Sequence, residues 1–155
     1  MLTNDILRRL RFALRMDDAT MLKMLRLGGS SLDAESLAAY FKRDDEPGYL
    51  ECPKPELSAL LDGMILKFRG PRPEGSRAPE LALLDNNMVL KKLRIALEFK
   101  EEDMIAIMKR SDVEISKNEL SALFRSKTQK NYMECMDQFL RNFLAGMDGY
   151  KDYRM

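Results

Sequence analysis

Apolar residues near the start of the chain recur three and four positions apart. Ile6, Leu7, Leu10, Ala13 and Leu14 share one side of a helix predicted over about residues 4 to 15, and polar residues occupy most of the remainder. The rhythm returns later. Asn4-Asp-Ile-Leu-Arg-Arg-Leu-Arg-Phe-Ala-Leu14 is matched by Asn87-Met-Val-Leu-Lys-Lys-Leu-Arg-Ile-Ala-Leu97. At a constant offset of 83, residues 4–66 and 87–149 share 17 identical pairs in 63 compared positions. The chain is read as a gapless internal duplication.

Each copy predicts four helices. Asn4 and Asn87 stand where an N-cap belongs, with a side-chain oxygen to accept an orphan backbone N–H. Acidic turns at Asp17-Asp18 and Glu101-Glu102-Asp103 then open second helices over 18–27 and 101–110, where carboxylates favour the positive end. Gly28-Gly29 ends the first of these. Third helices start around Asp33 and Ser116, and Ser116-Lys-Asn-Glu119 has capping-box spacing. Pro53 and Pro55 hold the last helix of copy one to about 53–68, because proline is tolerated only in a first turn. Copy two lacks those prolines, so its last helix is expected from near residue 130.

The organisation expected is a helical repeat at 1–68, a Pro/Gly-containing linker at 69–86, a second repeat at 87–150 and a short tail at 151–155. Leu81, Leu83 and Leu84 are expected to anchor the linker's end. The fold class is all-α, with two similar four-helix units packed in pseudo-two-fold symmetry. A 63-residue copy is near the lower limit for folding alone, which favours packing of one copy on the other.

Charge narrows the functions. The net value of +1 is nearly even along the chain: −1 for 1–68, 0 for 69–86 and +2 for 87–155. That balance gives no strongly basic footprint for nucleic acid or membrane. No apolar run reaches the ~18 residues of a membrane span, and the N-terminal pattern is not the one expected of a secretory signal. A cytoplasmic protein is expected, with Cys52 and Cys135 as buried reduced thiols and a symmetric disulfide as the alternative.

Three repeated features invite chemistry. The first helices carry Arg8, Arg11 and Arg15 on one face of copy one, and Lys91, Lys92 and Arg94 in copy two. They read either as an anion-binding surface used twice or as a solvated face paired with Asp17, Asp18, Glu101 and Glu102. Only Arg11 and Arg94 are identical, which a structural ion pair would explain. Tyr49-x-Glu51-Cys52 and Tyr132-x-Glu134-Cys135 could supply an acid, a base and a nucleophile. With no histidine in the chain, nothing conventional activates the thiol, and the favoured reading packs Tyr and Cys inward with Glu capping or bonding the last helix. Gly63 and Gly146, at the cost of a glycine within a helix, suggest a close helix crossing or a C-terminal cap. Most of the twelve methionines lie at apolar helical positions and read as core filling. Neither a catalytic residue, a metal site nor a cofactor is assigned.

At the paired Asn-x-x-Leu-[Arg/Lys]-[Arg/Lys]-Leu-Arg-x-Ala-Leu helices and Tyr-x-Glu-Cys elements, the chain resembles the YehS-like bacterial family of unknown function (DUF1456). Its members are about this length and carry the domain twice. The resemblance covers nearly the whole chain apart from the linker and last residues. It implies a bacterial cytoplasmic protein and transfers no site. From the residues themselves we expect a non-enzymatic helical adaptor that acts on a protein partner. Nucleic-acid binding through the basic first helices is the alternative, an enzyme using Tyr, Glu and Cys comes third, and a homo-oligomer is open.

Overall fold

Each copy's last helix packs on the other copy's first helix. In a computed structural model of the protein, residues 1–71 and 84–155 are described. Among these the elements are α1 (Thr3–Leu14), α2 (Asp18–Leu27), α3 (Ala34–Tyr40), α4 (Lys54–Arg69), α5 (Asn86–Ala96), α6 (Glu101–Arg110), α7 (Lys117–Leu123) and α8 (Asp137–Met147), with no strand. Within each copy the second helix packs on the last (α2 on α4, α6 on α8) and on the third (α2 on α3, α6 on α7). Between copies α4 lies against α5 and α8 against α1.

The inward faces build one core running through both copies. Leu7, Leu10, Leu57 and Leu60 of copy one join Leu90, Leu93, Leu140 and Phe143 of copy two, all nearly inaccessible. Met21, Met24, Met64, Met104, Met108 and Met147 are buried within it, so most helical methionines fill space as expected. Leu84 is buried too; Leu81, Leu83 and most of the expected linker lie outside the described residues.

Several start and stop signals act as read. Asp17 and Asp33 accept the Thr20 and Ser36 amides at the starts of α2 and α3. Ser116 and Glu119 form the reciprocal capping box of α7. The glycines of the last helices mark close crossings. A Cβ on Gly63 would lie 1.7 Å from Met24 O, and one on Gly146 would lie 2.1 Å from Ile107 O. Met24 and Ile107 are themselves equivalent positions, so both copies cross α2 or α6 at the same backbone carbonyl.

Two expectations are corrected. Asn4 and Asn87 are not N-caps: α1 begins at Thr3 and α5 at Asn86, capped by Asp85, which leaves each asparagine inside its helix facing the core. The last helix of copy two starts at Asp137 rather than near 130. The lack of proline does not advance it because its preceding backbone is held elsewhere.

The same asparagine does the holding. Asn4 Nδ2 donates to Tyr40 O (3.0 Å) and Leu50 O (2.9 Å), and its Oδ1 accepts the Cys52 amide (2.7 Å). Asn87 repeats this with Leu123 O (3.0 Å), Met133 O (2.9 Å) and the Cys135 amide (2.8 Å). Each partner lies 83 positions from its counterpart. One side chain thus ties the end of the third helix to the Tyr-x-Glu-Cys segment, which cannot begin a helix while its amides and carbonyls face sideways.

Candidate functional site

The basic residues of α1 and α5 divide into tied and presented groups. Arg11 lies 2.7 Å from Asp18 and stacks on Phe41, its guanidinium 4.6 Å from the ring centre. Arg94 stacks on Phe124 at 4.7 Å and donates from Nε to Phe99 O (3.2 Å). Phe41 and Phe124 are equivalent, so the two identical arginines stack alike; only Arg11 also forms the ion pair expected of both. Glu101 and Glu102 do not pair with α5 as expected, and Asp103 instead closes the start of α6 by accepting the Lys100 amide (2.7 Å). Arg8 donates to Lys42 O (2.6 Å) and lies 3.3 Å from Asp5. Lys92 is paired with Asp62 of α4 and reaches Ser58 Oγ at 3.3 Å. Arg15 is exposed and 3.9 Å from Asp148, and Lys91 is exposed.

Phe12 stands among these cations with 72% of its surface accessible. It lies one helical turn from Arg8 and Arg9, where side chains three and four apart meet, and Arg15 and Met16, just past the end of α1, line the same depression. A depression of about 530 Å³ is bounded by Arg8, Arg11, Phe12, Arg15, Phe41 and Asp148. A second, of about 320 Å³, lies beside Phe12 with Arg9, Leu144 and Ala145 in its lining. Copy one's α1 and copy two's α8 build this surface together. Sequence reading singled out its arginines but missed Phe12 and the α8 residues. Phe12 carried a signal nonetheless: a large aromatic off the Ile6, Leu7, Leu10, Ala13 and Leu14 face has no core to enter.

The Tyr-x-Glu-Cys elements are arranged differently. Cys52 and Cys135 are free, buried and unlinked. Burial pushes both thiols up to about 12, with Glu56 adding to the effect at Cys52 and Asp137 at Cys135. Tyr49 and Tyr132 are half-buried, and Glu51 and Glu134 are exposed with no hydrogen bond to the last helix, which corrects the expected capping role. A cavity of about 210 Å³ between the copies touches Glu134 and Cys135, with Asp85, Asn86 and Asn87; Tyr132 is not in its lining. The arrangement is therefore three side chains with three different surroundings. Among the described residues no group of three or more Cys, Asp or Glu could hold a metal ion, and no helix is long and apolar enough to cross a membrane.

No solved structure matches the chain. It is 39% identical over 147 residues to the uncharacterized protein YehS of Escherichia coli (strain K12), covering 95% of this chain and 94% of that one. The sequence matches the family described as a protein of unknown function (DUF1456) twice, over residues 3–70 and 86–151. Those two matched segments are the two copies read from the 83-residue offset, and the chain belongs to that family.

Proposed function

We propose that the protein is a non-enzymatic helical binding module that acts through a protein partner, in the bacterial cytoplasm. The observation that carries this reading is Phe12, 72% exposed on a helix whose other large apolar residues are buried. Aromatic and arginine side chains are the types enriched at the energetic centres of protein interfaces, and α1 offers both side by side. Two buried reduced thiols suit a reducing compartment.

The alternative uses the paired basic helices on nucleic acid. Its support is weaker because Lys92 is committed to Asp62, and Arg94 to Phe124 and a carbonyl. The enzymatic alternative needs a reactive thiolate, and both thiols are held protonated by burial. The test is an affinity pull-down from bacterial lysate with and without nuclease treatment, comparing the wild type with Phe12→Ala. A protein retained by the wild type and lost with Phe12→Ala is the expected result. Retention of nucleic acid alone before nuclease treatment would overturn it.

A further inference from the structure

Resting on the protein-binding reading, we infer that the Phe12 surface takes an acidic segment bearing a large apolar side chain, and that the equivalent surface of copy two takes none. The lining of the two depressions around Phe12 holds Arg8, Arg9, Arg11 and Arg15 against one carboxylate, Asp148. Arg9 has no ion-pair partner among the described residues, and Arg15 reaches Asp148 only at 3.9 Å. Arg8 and Arg11 pair with Asp5 and Asp18 through partly exposed contacts, which contribute little and can be exchanged for a partner's carboxylates. A cationic rim around an apolar centre is complementary to carboxylates flanking an apolar anchor. A single apolar ring among the cations suits a segment with one apolar anchor better than a repeating phosphate backbone.

Duplication supplies an internal comparison. Ile95 occupies the Phe12 position in copy two and is also exposed, at 41%. Around it the charges change. Arg9 is replaced by Lys92, only 15% exposed and neutralised by Asp62, which stands where copy one's surface has Ala145. Arg15 is replaced by Glu98, paired with Arg69. An acidic segment would therefore meet a neutralised lysine and a carboxylate where copy one offers two arginines. The same scaffold is kept while the second surface discriminates by charge. One protein molecule then binds one segment.

The test selects a random 12-residue displayed-peptide library on the full chain, then measures synthetic versions of the enriched peptides by fluorescence anisotropy. Enriched sequences should combine Asp or Glu with Leu, Ile, Phe, Tyr or Trp and bind one to one. Phe12→Ala should weaken them at least about tenfold. Arg9→Glu with Arg15→Glu should do the same and flatten the salt dependence. Both substituted side chains are exposed, Arg9 on α1 and Arg15 at its C-cap, and an unchanged melting temperature verifies folding. Ile95→Ala with Lys91→Glu should leave binding within about twofold. Neutral or basic enriched peptides, two-to-one binding, or loss through the copy-two variant would overturn the inference while leaving the protein-binding reading standing. No enrichment on the wild type over the Phe12→Ala protein would overturn both.

Discussion

Asn4 Oδ1 accepts the Cys52 amide at 2.7 Å, across 48 residues of chain, from a side chain that is 1% exposed. The contact recurs between Asn87 and Cys135 at 2.8 Å. It fixes where the last helix of each copy may begin, and hence where α4 and α8 meet the opposite copy. Three of the four hydrogen-bonding capacities of the amide are used, by two carbonyls and one amide N–H.

Asn→Asp separates a clamp from a cap. At an N-cap, aspartate serves as well as asparagine. In the clamp it replaces the donor to Tyr40 O and Leu50 O with an acceptor and buries a charge among carbonyls. Asn4→Ala should cost about 3 kcal/mol, since each buried group left unpaired costs about 1–3 kcal/mol, and Asn4→Asp at neutral pH should cost at least as much. Urea unfolding of both variants, with the Asn87 pair alongside, measures this. Asparagine and aspartate of equal stability would restore the cap.

Gly63→Ala and Gly146→Ala press a methyl group into a backbone carbonyl that cannot rotate away, at 1.7 and 2.1 Å before relaxation. Each should destabilise by about 2–3 kcal/mol as overpacking forces α2 from α4 or α6 from α8. Thermal unfolding reads the loss. Stability equal to wild type would mean that these crossings open readily.

The first two predictions rest on positions visible in sequence for the wrong or incomplete reason. The four-helix rhythm, the α2, α6 and α7 starts and the glycine crossings followed from local periodicity, capping chemistry and steric demand, all of which act within a few residues. Asn4 and Asn87 were conspicuous by repetition, yet their partners lie 36 to 48 positions away, and no local rule points there. For the same reason α8 was extended too far towards its N-terminus. Phe12 fell between two readings: its neighbours Arg8, Arg11 and Arg15 stood out as charge, while α8, which supplies Leu144 and Ala145, comes from the opposite copy.

The buried thiols predict alkaline instability. Cys52 and Cys135 rise from 9.0 to about 12, chiefly through burial, and Tyr40 rises from 10.0 to about 12 for the same reason. The native state therefore holds more protons than the unfolded chain across this interval, and stability falls as pH increases. It should be intact below about pH 9 and decline from pH 9 to 12. Cys52→Ala with Cys135→Ala should make that decline shallower. A thiol reagent should label both cysteines slowly in the native state and quickly after denaturation; fast native labelling would contradict the assignment.

The kept arginines should act on stability. Arg11→Ala and Arg94→Ala each remove a guanidinium stacked on a phenylalanine, worth about 0.5–1 kcal/mol, with the Asp18 pair adding little at Arg11. Calorimetry should show both effects. Lys91→Ala, on an exposed side chain, should leave stability unchanged. The wild type should show no submicromolar binding to DNA or RNA at about 0.15 M salt. Salt-sensitive binding lost in Arg8→Ala and Lys91→Ala would instead favour the nucleic-acid alternative, since phosphate contacts weaken steeply as salt rises.

The most direct measurement places a photo-reactive phenylalanine analogue at residue 12, and separately at residue 95, in living bacterial cells. Both positions are exposed, so neither substitution disturbs the core. A discrete protein adduct is expected from position 12, resistant to nuclease, with little or none from position 95. Nuclease-sensitive adducts, or equal protein adducts from both positions, would contradict it.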